Sequence, residues 1–263
     1  MKYSPHVSTL SLALALSLGG FAPGQSGPKE PEPGSAPRVE EGSAPKEASE
    51  APRTTIHPSA EDIKPLETGD KVPHPVMVRD KDGEHAMLRD TLKEGATTVL
   101  VFYRGGWCPY CTTHLAELAQ VAPELENAGV ELLALSPDKP EKVAEHLEDR
   151  ELPYRLLSDS NAQAMAAFGV AFAVDEETVE QLRGYGMDLA EWSGNPENIL
   201  PVPAVFVVNE EYEITFAHAE PDYTVRLSGE ELLKAAGVKP VDEPGSAPRE
   251  PGSAPREPGS ANK

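Results

Sequence analysis

The chain has 263 residues, of which 44 are acidic and 23 are basic, so its net charge is −21. A field of this sign repels nucleic acid and anionic lipid, which excludes both as partners and favours neutral small molecules, cations or basic proteins. Residues 61–240 hold 34 acidic and 15 basic residues and therefore carry −19 of that charge. This stretch is long enough for one domain with a real hydrophobic core.

Residues 1–22 have a lysine at the second position and an apolar run over positions 9–22. At about 14 residues, this run is shorter than the roughly 20 that a membrane-spanning helix requires, and its pattern is typical of a secretory signal peptide. We therefore expect an extracytoplasmic protein, periplasmic or secreted, with no stable membrane insertion once the signal peptide is removed. The alternative is an uncleaved anchor that lies at the membrane interface.

Two flanking segments are rich in Pro, Gly, Ser, Ala and Glu. The heptad EPGSAPR occurs at 32–38, 243–249 and 250–256, and EPGSANK ends the chain. Such a sequence buries little apolar surface and is expected to be extended and solvated. We therefore predict a disordered linker over 23–60 and a disordered tail over 241–263, which are either inert or act as spacers.

The domain between these segments alternates strand and helix patterns. Residues 74–88 alternate apolar and polar side chains around an Asp-Gly turn, which predicts a hairpin, and the β-branched run at 96–103 predicts a central strand covered on both faces. Further strands are predicted at 130–136, 154–158, 202–208 and 212–219, and helices at 111–125, 141–150, 161–169 and 228–236. Residues 175–198 fit neither pattern. This order predicts an α/β sandwich with a central mixed sheet, helices on both faces, an N-terminal hairpin extension and antiparallel strands from the late hairpin.

The only two cysteines, Cys108 and Cys111, lie between the central strand and the first long helix. Pro109 suits the first helical position, so Cys108 is expected at the N-cap, where free backbone N–H groups and the helix dipole favour the thiolate. Cys111 shares a helical stripe with Leu115 and Leu118, so its thiol is expected to point inward and stay protonated. The pair therefore fits a redox dithiol in which Cys108 attacks and Cys111 resolves.

Two other interpretations of the cysteine pair remain open. A structural disulfide would close a very short loop and remove little chain entropy, so it would stabilise the fold only weakly. A metal site needs further ligands, and the candidates are His114, three positions after Cys111, and His218 in the late hairpin. Together with the cysteines, His218 would suit a soft ion such as Cu(I).

Five sequence motifs lie between residues 65 and 237: FYRGGWCPYC, ALSPD, LLSDSNAQAMAAFGV, LPVPAVFVVNEEYEI and DYTVR. Together they resemble the peroxiredoxin-like branch of the alkyl hydroperoxide reductase and thiol-specific antioxidant family. The resemblance implies a thioredoxin-like fold and reduction of hydrogen peroxide or organic hydroperoxides, with Cys108 as the peroxidatic cysteine. It also implies that Pro203 is the cis-proline beside the active cysteines; the alternative is a trans proline at the start of a strand.

Two positions depart from the family pattern. Typical members place a threonine three residues before the peroxidatic cysteine and a proline four residues before that threonine, whereas this chain has Gly105 and Val101 there. Arg104, and Arg226 in the DYTVR motif, are the candidates to stabilise the thiolate and polarise the peroxide O–O bond. Either arginine could instead form an ordinary ion pair with a carboxylate.

Three residues are candidates for contact with the substrate: Trp107, Tyr110 and Pro203. Trp107 is expected to cover the thiol and limit the access of water, or else to pack against the sheet, and Tyr110 to shape the substrate surface. His114 is expected to face solvent. Residues 175–198 are similar to an insertion in related sequences and are a candidate to cap the site, but the default expectation for them is an acidic helix on a solvated face.

The sequence therefore predicts a thiol-dependent peroxidase, an antioxidant oxidoreductase whose substrate is a small-molecule peroxide. Cys108 would become a sulfenic acid, Cys111 would condense with it to a disulfide, and a thioredoxin-like or other dithiol reductant would restore the pair. No organic cofactor or metal is required. The first alternative is an exported thiol-disulfide oxidoreductase that acts on protein disulfides. The second is a copper carrier that uses Cys108, Cys111 and His218.

Overall fold

The structure, a computed structural model, describes residues 54–239. The predicted signal peptide at 1–22, residues 23–53 of the predicted linker and the predicted tail at 241–263 lie outside these residues. Within the described range, no helix is both long enough and apolar enough to cross a membrane.

Two sheets form within the described part of the chain. The strands are β1 (Met77–Arg79), β2 (His85–Met87), β3 (Thr98–Phe102), β4 (Glu131–Ser136), β5 (Arg155–Ser158), β6 (Ala171–Ala173), β7 (Ile199–Pro201), β8 (Ala204–Val208) and β9 (Ile214–Ala219). Seven of them build the main sheet in the spatial order β2-β1-β5-β4-β3-β8-β9, and β6 pairs with β7 in a separate sheet. In the main sheet β3, β4 and β5 are parallel, and the remaining pairs are antiparallel.

Helices lie between these strands and on both faces of the main sheet. They are α1 (Leu88–Thr91), α2 (Pro109–Asn127), α3 (Pro140–Asp149), α4 (Gln163–Ala167), α5 (Glu176–Gly184), α6 (Leu189–Ser193) and α7 (Gly229–Ala235), with a 3₁₀ turn at Ala60–Asp62. The predicted α/β fold is confirmed: the mixed sheet has helices on both faces and an N-terminal hairpin, β1 and β2, at one edge.

The central strand β3 separates two hydrophobic cores. All five of its residues are buried, as expected for a strand with both faces covered. Because side chains alternate along a strand, Val99 and Val101 enter one core together with both cysteines. Leu100 and Phe102 enter the other core, on the opposite face. The cysteine pair therefore sits against the packed face of the sheet that is covered by α2 and α7.

The described structure extends the domain upstream of the predicted boundary at residue 61. His57 donates its backbone N–H to Ala171 O at 3.0 Å, and Ala173 N–H donates to His57 O at 2.9 Å. Residues 54–60, which were assigned to the linker on the basis of composition, therefore form a segment that pairs with β6 through His57. Their Pro, Ser and Ala content gives no sign of a pairing that depends on a strand more than a hundred residues away.

Residues 175–198, which the sequence patterns left unassigned, form two short helices, α5 and α6. Asp175 caps α5 by accepting the Thr178 N–H at 2.8 Å, and Asp188 caps α6 by accepting the Ala190 N–H at 3.0 Å. Both carboxylates are the capping residues that a helix start prefers. These caps are the sequence feature that would have located the two helices.

Candidate active site

Cys108 is the N-cap residue of α2. Its backbone is extended, with φ −85° and ψ 114°, and Pro109 follows at the first helical position. The Thr112 N–H donates to Cys108 O at 3.0 Å. A helix start leaves N–H groups without helical partners and carries the positive end of the helix dipole, so this position favours an anionic sulfur. Cys108 is only 1% exposed, so a substrate must enter a nearly closed site.

The two cysteines are free thiols that hydrogen-bond to each other. The hydrogen bond from the Cys111 thiol is the main cause that lowers the pKa of Cys108, to about 6, against the effect of burial. The Cys111 N–H and the charges of Arg104 and Arg226 lower it further. Burial, followed by the adjacent Cys108 sulfur, raises the pKa of Cys111 well above its usual value. At neutral pH the pair therefore holds a thiolate on Cys108 and a proton on Cys111.

Arg226 reaches the pair from the loop that precedes α7. Its Nη2 donates to Cys111 Sγ at 3.4 Å. Its Nη1 donates to Val225 O at 2.7 Å and also to Tyr223 O. These backbone acceptors hold the guanidinium group against the cysteines, so its position does not depend on a carboxylate partner.

Arg104 approaches Cys108 from the end of β3. It is largely buried, and its guanidinium carbon lies 4.2 Å from the centre of the Tyr223 ring and 5.2 Å from the centre of the Trp107 ring. Among the described residues, neither Arg104 nor Arg226 is in an ion pair with a carboxylate. Both positive charges are therefore left to act on the thiolate, rather than in the ordinary ion pairs that were the alternative.

The aromatic side chains predicted to contact substrate lie around these arginines. Trp107 is half-buried and packs against the core that contains both cysteines. Tyr110 is 38% exposed, and its ring centre lies 5.7 Å from that of Tyr223 in an edge-to-face arrangement. Tyr223 was not among the predicted residues, because it is brought to the site by the loop before α7.

A cavity of about 250 Å³ opens beside Arg104. Its wall combines the apolar side chains of Phe172 and Pro203 with the polar groups of Asp175 and Tyr223. Arg104 belongs to this wall and also acts on the Cys108 thiolate. It therefore links the cavity to the reactive sulfur.

The peptide bond between Val202 and Pro203 is trans, so the expectation of a cis-proline at Pro203 is wrong. In the described residues, the one cis bond joins His74 to Pro75. Pro203 lies between β7 and β8, and its carbonyl accepts the Glu220 N–H at 3.0 Å. This hydrogen bond continues the ladder between β8 and β9, which requires the chain to stay extended through Pro203.

His114 is buried, and the expectation that it faces solvent is wrong. Its Nε2 lies 2.9 Å from Leu227 O, to which it donates a hydrogen bond as a neutral imidazole. Burial and, less strongly, the Arg226 charge lower the pKa of His114 to about 4. Its position one turn before Leu118 on the apolar stripe of α2 was the sequence feature that pointed inward.

Asp138, just beyond the end of β4, is a site residue that the sequence reasoning did not single out. It is buried, and its Oδ2 accepts the Gly106 N–H at 2.7 Å. Burial raises the pKa of this carboxyl group to about 7, although the Gly106 N–H lowers it. Because β4 runs parallel to β3, the ends of both strands meet at the cysteine loop. That topology is the feature that could have identified Asp138.

The described residues contain no group of three His, Cys, Asp or Glu side chains placed to hold a metal ion. His218, the third ligand in the copper-carrier alternative, lines a small pocket with His114 and Arg226. A positive charge at this place works against a cation site. The arrangement around the two cysteines therefore suits an anionic sulfur better than a metal centre.

Comparisons with known proteins agree with this site. A model of the AhpC/TSA family matches residues 68–217. Peroxiredoxin Bcp of Escherichia coli strain K12 is 37% identical over 108 residues, which cover 41% of this chain and 67% of that protein. The crystal structure of peroxidoxin BcpB from Mycobacterium tuberculosis matches with a TM-score of 0.50 and 22% identity, over 65% of this chain and 95% of that one. A mutant of peroxiredoxin 6 of Arenicola marina matches with a TM-score of 0.53 and 20% identity, over 65% and 72%.

At these identities the two solved structures bear on the fold alone, and they share the thioredoxin-like architecture. The sequence matches define the class of protein as a peroxiredoxin-like, thiol-dependent peroxidase. The chain belongs to the AhpC/TSA family. Both cysteines and Arg104 lie within the matched residues, whereas Arg226 lies beyond them.

Proposed function

We propose that this protein reduces hydrogen peroxide or organic hydroperoxides through Cys108 and Cys111 and is recycled by an external dithiol reductant. One observation carries the proposal: Cys108 is held as a thiolate, with its pKa lowered to about 6 by the Cys111 thiol, the Cys111 N–H and the two arginines. A thiolate, unlike a thiol, is the nucleophile that peroxide chemistry needs.

In the first step, the Cys108 thiolate attacks one peroxide oxygen. A new S–O bond forms as the O–O bond breaks, and the departing oxygen takes up a proton and leaves as water or an alcohol. The sulfur is thereby oxidised to a sulfenic acid while the peroxide is reduced. Negative charge moves onto the departing oxygen during this step, and Arg104 and Arg226 are the groups placed to stabilise it.

In the second step, the Cys111 sulfur attacks the Cys108 sulfenic acid, and water leaves as the disulfide forms. The two cysteines are close enough in the folded protein for the Cys111 thiol to lower the pKa of Cys108, which supports disulfide formation without a large movement. The thiolate on Cys108 helps keep Cys111 protonated, whereas Arg226 lowers the Cys111 pKa. Once Cys108 becomes a neutral sulfenic acid, the opposing charge is gone, and Arg226 favours ionisation of Cys111 at the moment it must attack.

The arginines supply the contacts that the missing family threonine would otherwise make. Gly105 has a φ of +145°, and a Cβ at this position would lie 2.3 Å from Trp107 Nε1 and 2.7 Å from Asp138 Oδ1. A threonine therefore does not fit this loop. The cavity beside Arg104 offers space for the organic part of a hydroperoxide. Pro203 is the predicted substrate-contact residue that lines it, whereas Trp107 and Tyr110 do not.

The disulfide must then be reduced by a thiolate from a partner, which releases the partner as a disulfide. We propose a thioredoxin-like or other dithiol reductant for this step. The half-exposed aromatic pair of Tyr110 and Tyr223 flanks the cysteines and is the accessible apolar surface for its approach. We also propose an extracytoplasmic location, on the basis of the signal-peptide pattern at residues 1–22.

The test is a stopped-flow measurement of Trp107 fluorescence when the reduced protein is mixed with hydrogen peroxide. Trp192→Phe removes the second tryptophan, which lies beside Lys142, and serves as the background for all variants. We expect a rate orders of magnitude above that of a free thiolate, and no fast phase in Cys108→Ser. Cys111→Ser should still consume the first equivalent of peroxide and then stop, because its sulfenic acid has no thiol to condense with.

A reaction with hydrogen peroxide no faster than that of a free thiolate would contradict the peroxidase proposal. The exchange alternative, which the comparisons do not favour, predicts a different outcome for Cys111→Ser: mixed disulfides with proteins in place of a peroxide-dependent sulfenic acid. Both products are distinguishable by mass spectrometry of the intact protein.

A further inference from the structure

Asp138 occupies a fixed place directly behind the turn that leads to Cys108. It is 1% exposed, and its Oδ2 accepts the Gly106 N–H at 2.7 Å. Its own N–H donates to Ser136 Oγ at 3.3 Å. Among the described residues, its other oxygen, Oδ1, has no hydrogen-bond partner. A buried carboxyl group with one oxygen unsatisfied is costly to the fold, which suggests a role beyond stability.

The turn is packed tightly against this carboxyl group and against α3. A Cβ on Gly105 would lie 2.7 Å from Asp138 Oδ1, and a Cβ on Gly106 would lie 2.9 Å from His146 Nδ1. The Cys108 N–H closes the turn by donating to Gly105 O at 3.2 Å. The geometry of the turn, and with it the position of the Cys108 sulfur, is therefore set by the groups packed behind it.

We propose that Asp138 is a positioning residue for Cys108: it holds the turn of Gly105 and Gly106 through one carboxylate oxygen, and its charge opposes the charge of the Cys108 thiolate. The inference rests on the proposed function, because it concerns the same cysteine. It adds that a residue at the end of the neighbouring strand β4 influences the position and the ionisation of the Cys108 thiol.

The groups that face Asp138 come from each element packed around it. Cys108 approaches from α2, Lys142 from α3, Tyr103 from the end of β3 and Ser136 from β4, while His146 of α3 lies against Gly106. Burial raises the pKa of Asp138 most, the Gly106 N–H and Ser136 lower it, the Cys108 charge raises it, and Lys142 lowers it. Asp138 and Cys108 thus titrate in neighbouring pH ranges, and ionisation of either one disfavours ionisation of the other.

The experiment compares Asp138→Asn with the wild-type full chain in the reduced state. Asn keeps an oxygen that can accept the Gly106 N–H but carries no charge. The Cys108 pKa is read from ultraviolet thiolate absorbance and from the pH dependence of iodoacetamide alkylation; Cys111 does not interfere, because its pKa is raised well above the usual value. We expect the Cys108 pKa in this variant to fall by about 0.3 pH unit, because Asp138, with a pKa of about 7, is only partly ionised while Cys108 titrates near 6.

Asp159→Asn is the matched control. Asp159 follows β5, is as buried as Asp138 and accepts backbone N–H groups from Ala164 and Met165 at 2.9 and 2.8 Å. Its pKa is raised to about 7 as well, but neither cysteine contributes to that shift. This variant should leave the Cys108 pKa unchanged.

A third variant, Asp138→Ala, tests the hold on the turn. It removes the acceptor as well as the charge, so its alkylation rate at high pH, where Cys108 is fully ionised, should fall below that of Asp138→Asn. The wild-type protein gives a test that does not depend on whether a variant folds. Because Asp138 and Cys108 are coupled, the wild-type Cys108 titration should be broader than that of one independent group.

An unchanged Cys108 pKa in a folded Asp138→Asn protein, or an equal shift in Asp159→Asn, would overturn the inference. So would a wild-type titration that follows a single ionisation. None of these readouts uses peroxide. A slow reaction with peroxide would therefore defeat the proposed function while leaving the coupling of Asp138 to Cys108 measurable.

Discussion

Two guanidinium groups act on the cysteine pair from different parts of the chain. Arg104 comes from the end of β3 and is held between two aromatic rings, whereas Arg226 comes from the loop before α7 and is held by backbone carbonyls. Arg226 also donates directly to Cys111. Tyr223 contacts both guanidinium groups, Arg104 through its ring and Arg226 through its carbonyl, but the two arginines lie far apart in the chain and can be replaced separately.

We expect Arg104→Gln and Arg226→Gln each to raise the pKa of Cys108, because each removes a positive charge that favours the thiolate. A rise of about 0.5 to 1 pH unit is expected for each, so alkylation near the wild-type midpoint should slow by a few-fold. Arg155→Gln is the control, because Arg155 pairs with Glu131 where β5 and β4 begin, at the end of the sheet away from the cysteines. If either active-site variant keeps the wild-type midpoint, that arginine does not act on the thiolate.

The sequence predicted the site residues that lie within one short motif, and the DYTVR motif also marked the arginine that reaches the site from the loop before α7. Cys108, Cys111 and Arg104 are neighbours in FYRGGWCPYC, so their chemistry is visible from spacing alone. Asp138 and Tyr223 join them only because a parallel strand ends, and a loop returns, at the same place. A single sequence carries no local sign of such a meeting.

At the scale of elements, α7 supports the site through its contact with α2. Its start is fixed by a capping box in which Ser228 Oγ accepts the Glu231 N–H at 3.3 Å and Glu231 Oε2 accepts the Ser228 N–H at 2.9 Å. Leu232 and Leu233 then enter the core that contains both cysteines. Because Arg226 lies two residues before Ser228, the cap also anchors the loop that carries this arginine.

Ser228→Ala should lower the free energy of unfolding by about 1 kcal/mol, because the Glu231 N–H in the first turn loses its acceptor and the capping box is broken. Urea denaturation of the reduced protein measures the change. Ser228→Thr retains a hydroxyl acceptor and should lose much less. Equal losses in the two variants would show that packing at this position, rather than the cap, stabilises the helix.

The elements that sequence periodicity predicted well are long or strongly patterned. Helix α2 and the buried strand β3 were predicted within a few residues of their observed bounds. Apolar spacing over several turns fits only a helix, and a continuous β-branched run fits a buried strand best. An acidic helix was expected within residues 175–198, but the bounds of the two short helices α5 and α6 were not predicted, because five to nine residues show too little periodicity. They depend on their aspartate caps and on packing against neighbouring chain.

At the scale of the whole molecule, a few carboxyl groups differ from the many acidic residues at the surface in how their ionisation affects the stability of the fold. Most acidic side chains of the described residues are at the surface, but Asp138 and Asp159 are buried, and burial raises the pKa of each to about 7. Because the folded state holds these protons more tightly than the unfolded state, the stability that each group contributes is fully present below its unfolded pKa. This contribution is lost as the pH rises towards the folded pKa of about 7. His114 has the reverse effect, because burial lowers its pKa to about 4.

These three groups predict how stability changes between about pH 4.5 and pH 5.3, below the range in which Cys108, with a pKa of about 6, ionises. On unfolding in this range, Asp138 and Asp159 each release a proton and His114 takes one up, so the folded state holds one proton more. The free energy of unfolding should therefore fall as pH rises, by about 1.4 kcal/mol per pH unit. Self-repulsion in a chain of net charge −21 acts in the same direction.

Urea denaturation of the reduced protein at several pH values in this window measures the slope. Asp159→Asn removes one of the two carboxyl groups, leaving Asp138 and His114 to cancel, so its slope should approach zero even if the loss of a hydrogen bond lowers its stability overall. His114→Gln should steepen the slope by a similar amount, since it removes the group that opposes the carboxyl groups. A stability that rises with pH in the wild-type protein would mean that the two buried carboxyl groups are ionised in the folded state, and the charge assigned to the neighbourhood of Cys108 would have to change with them.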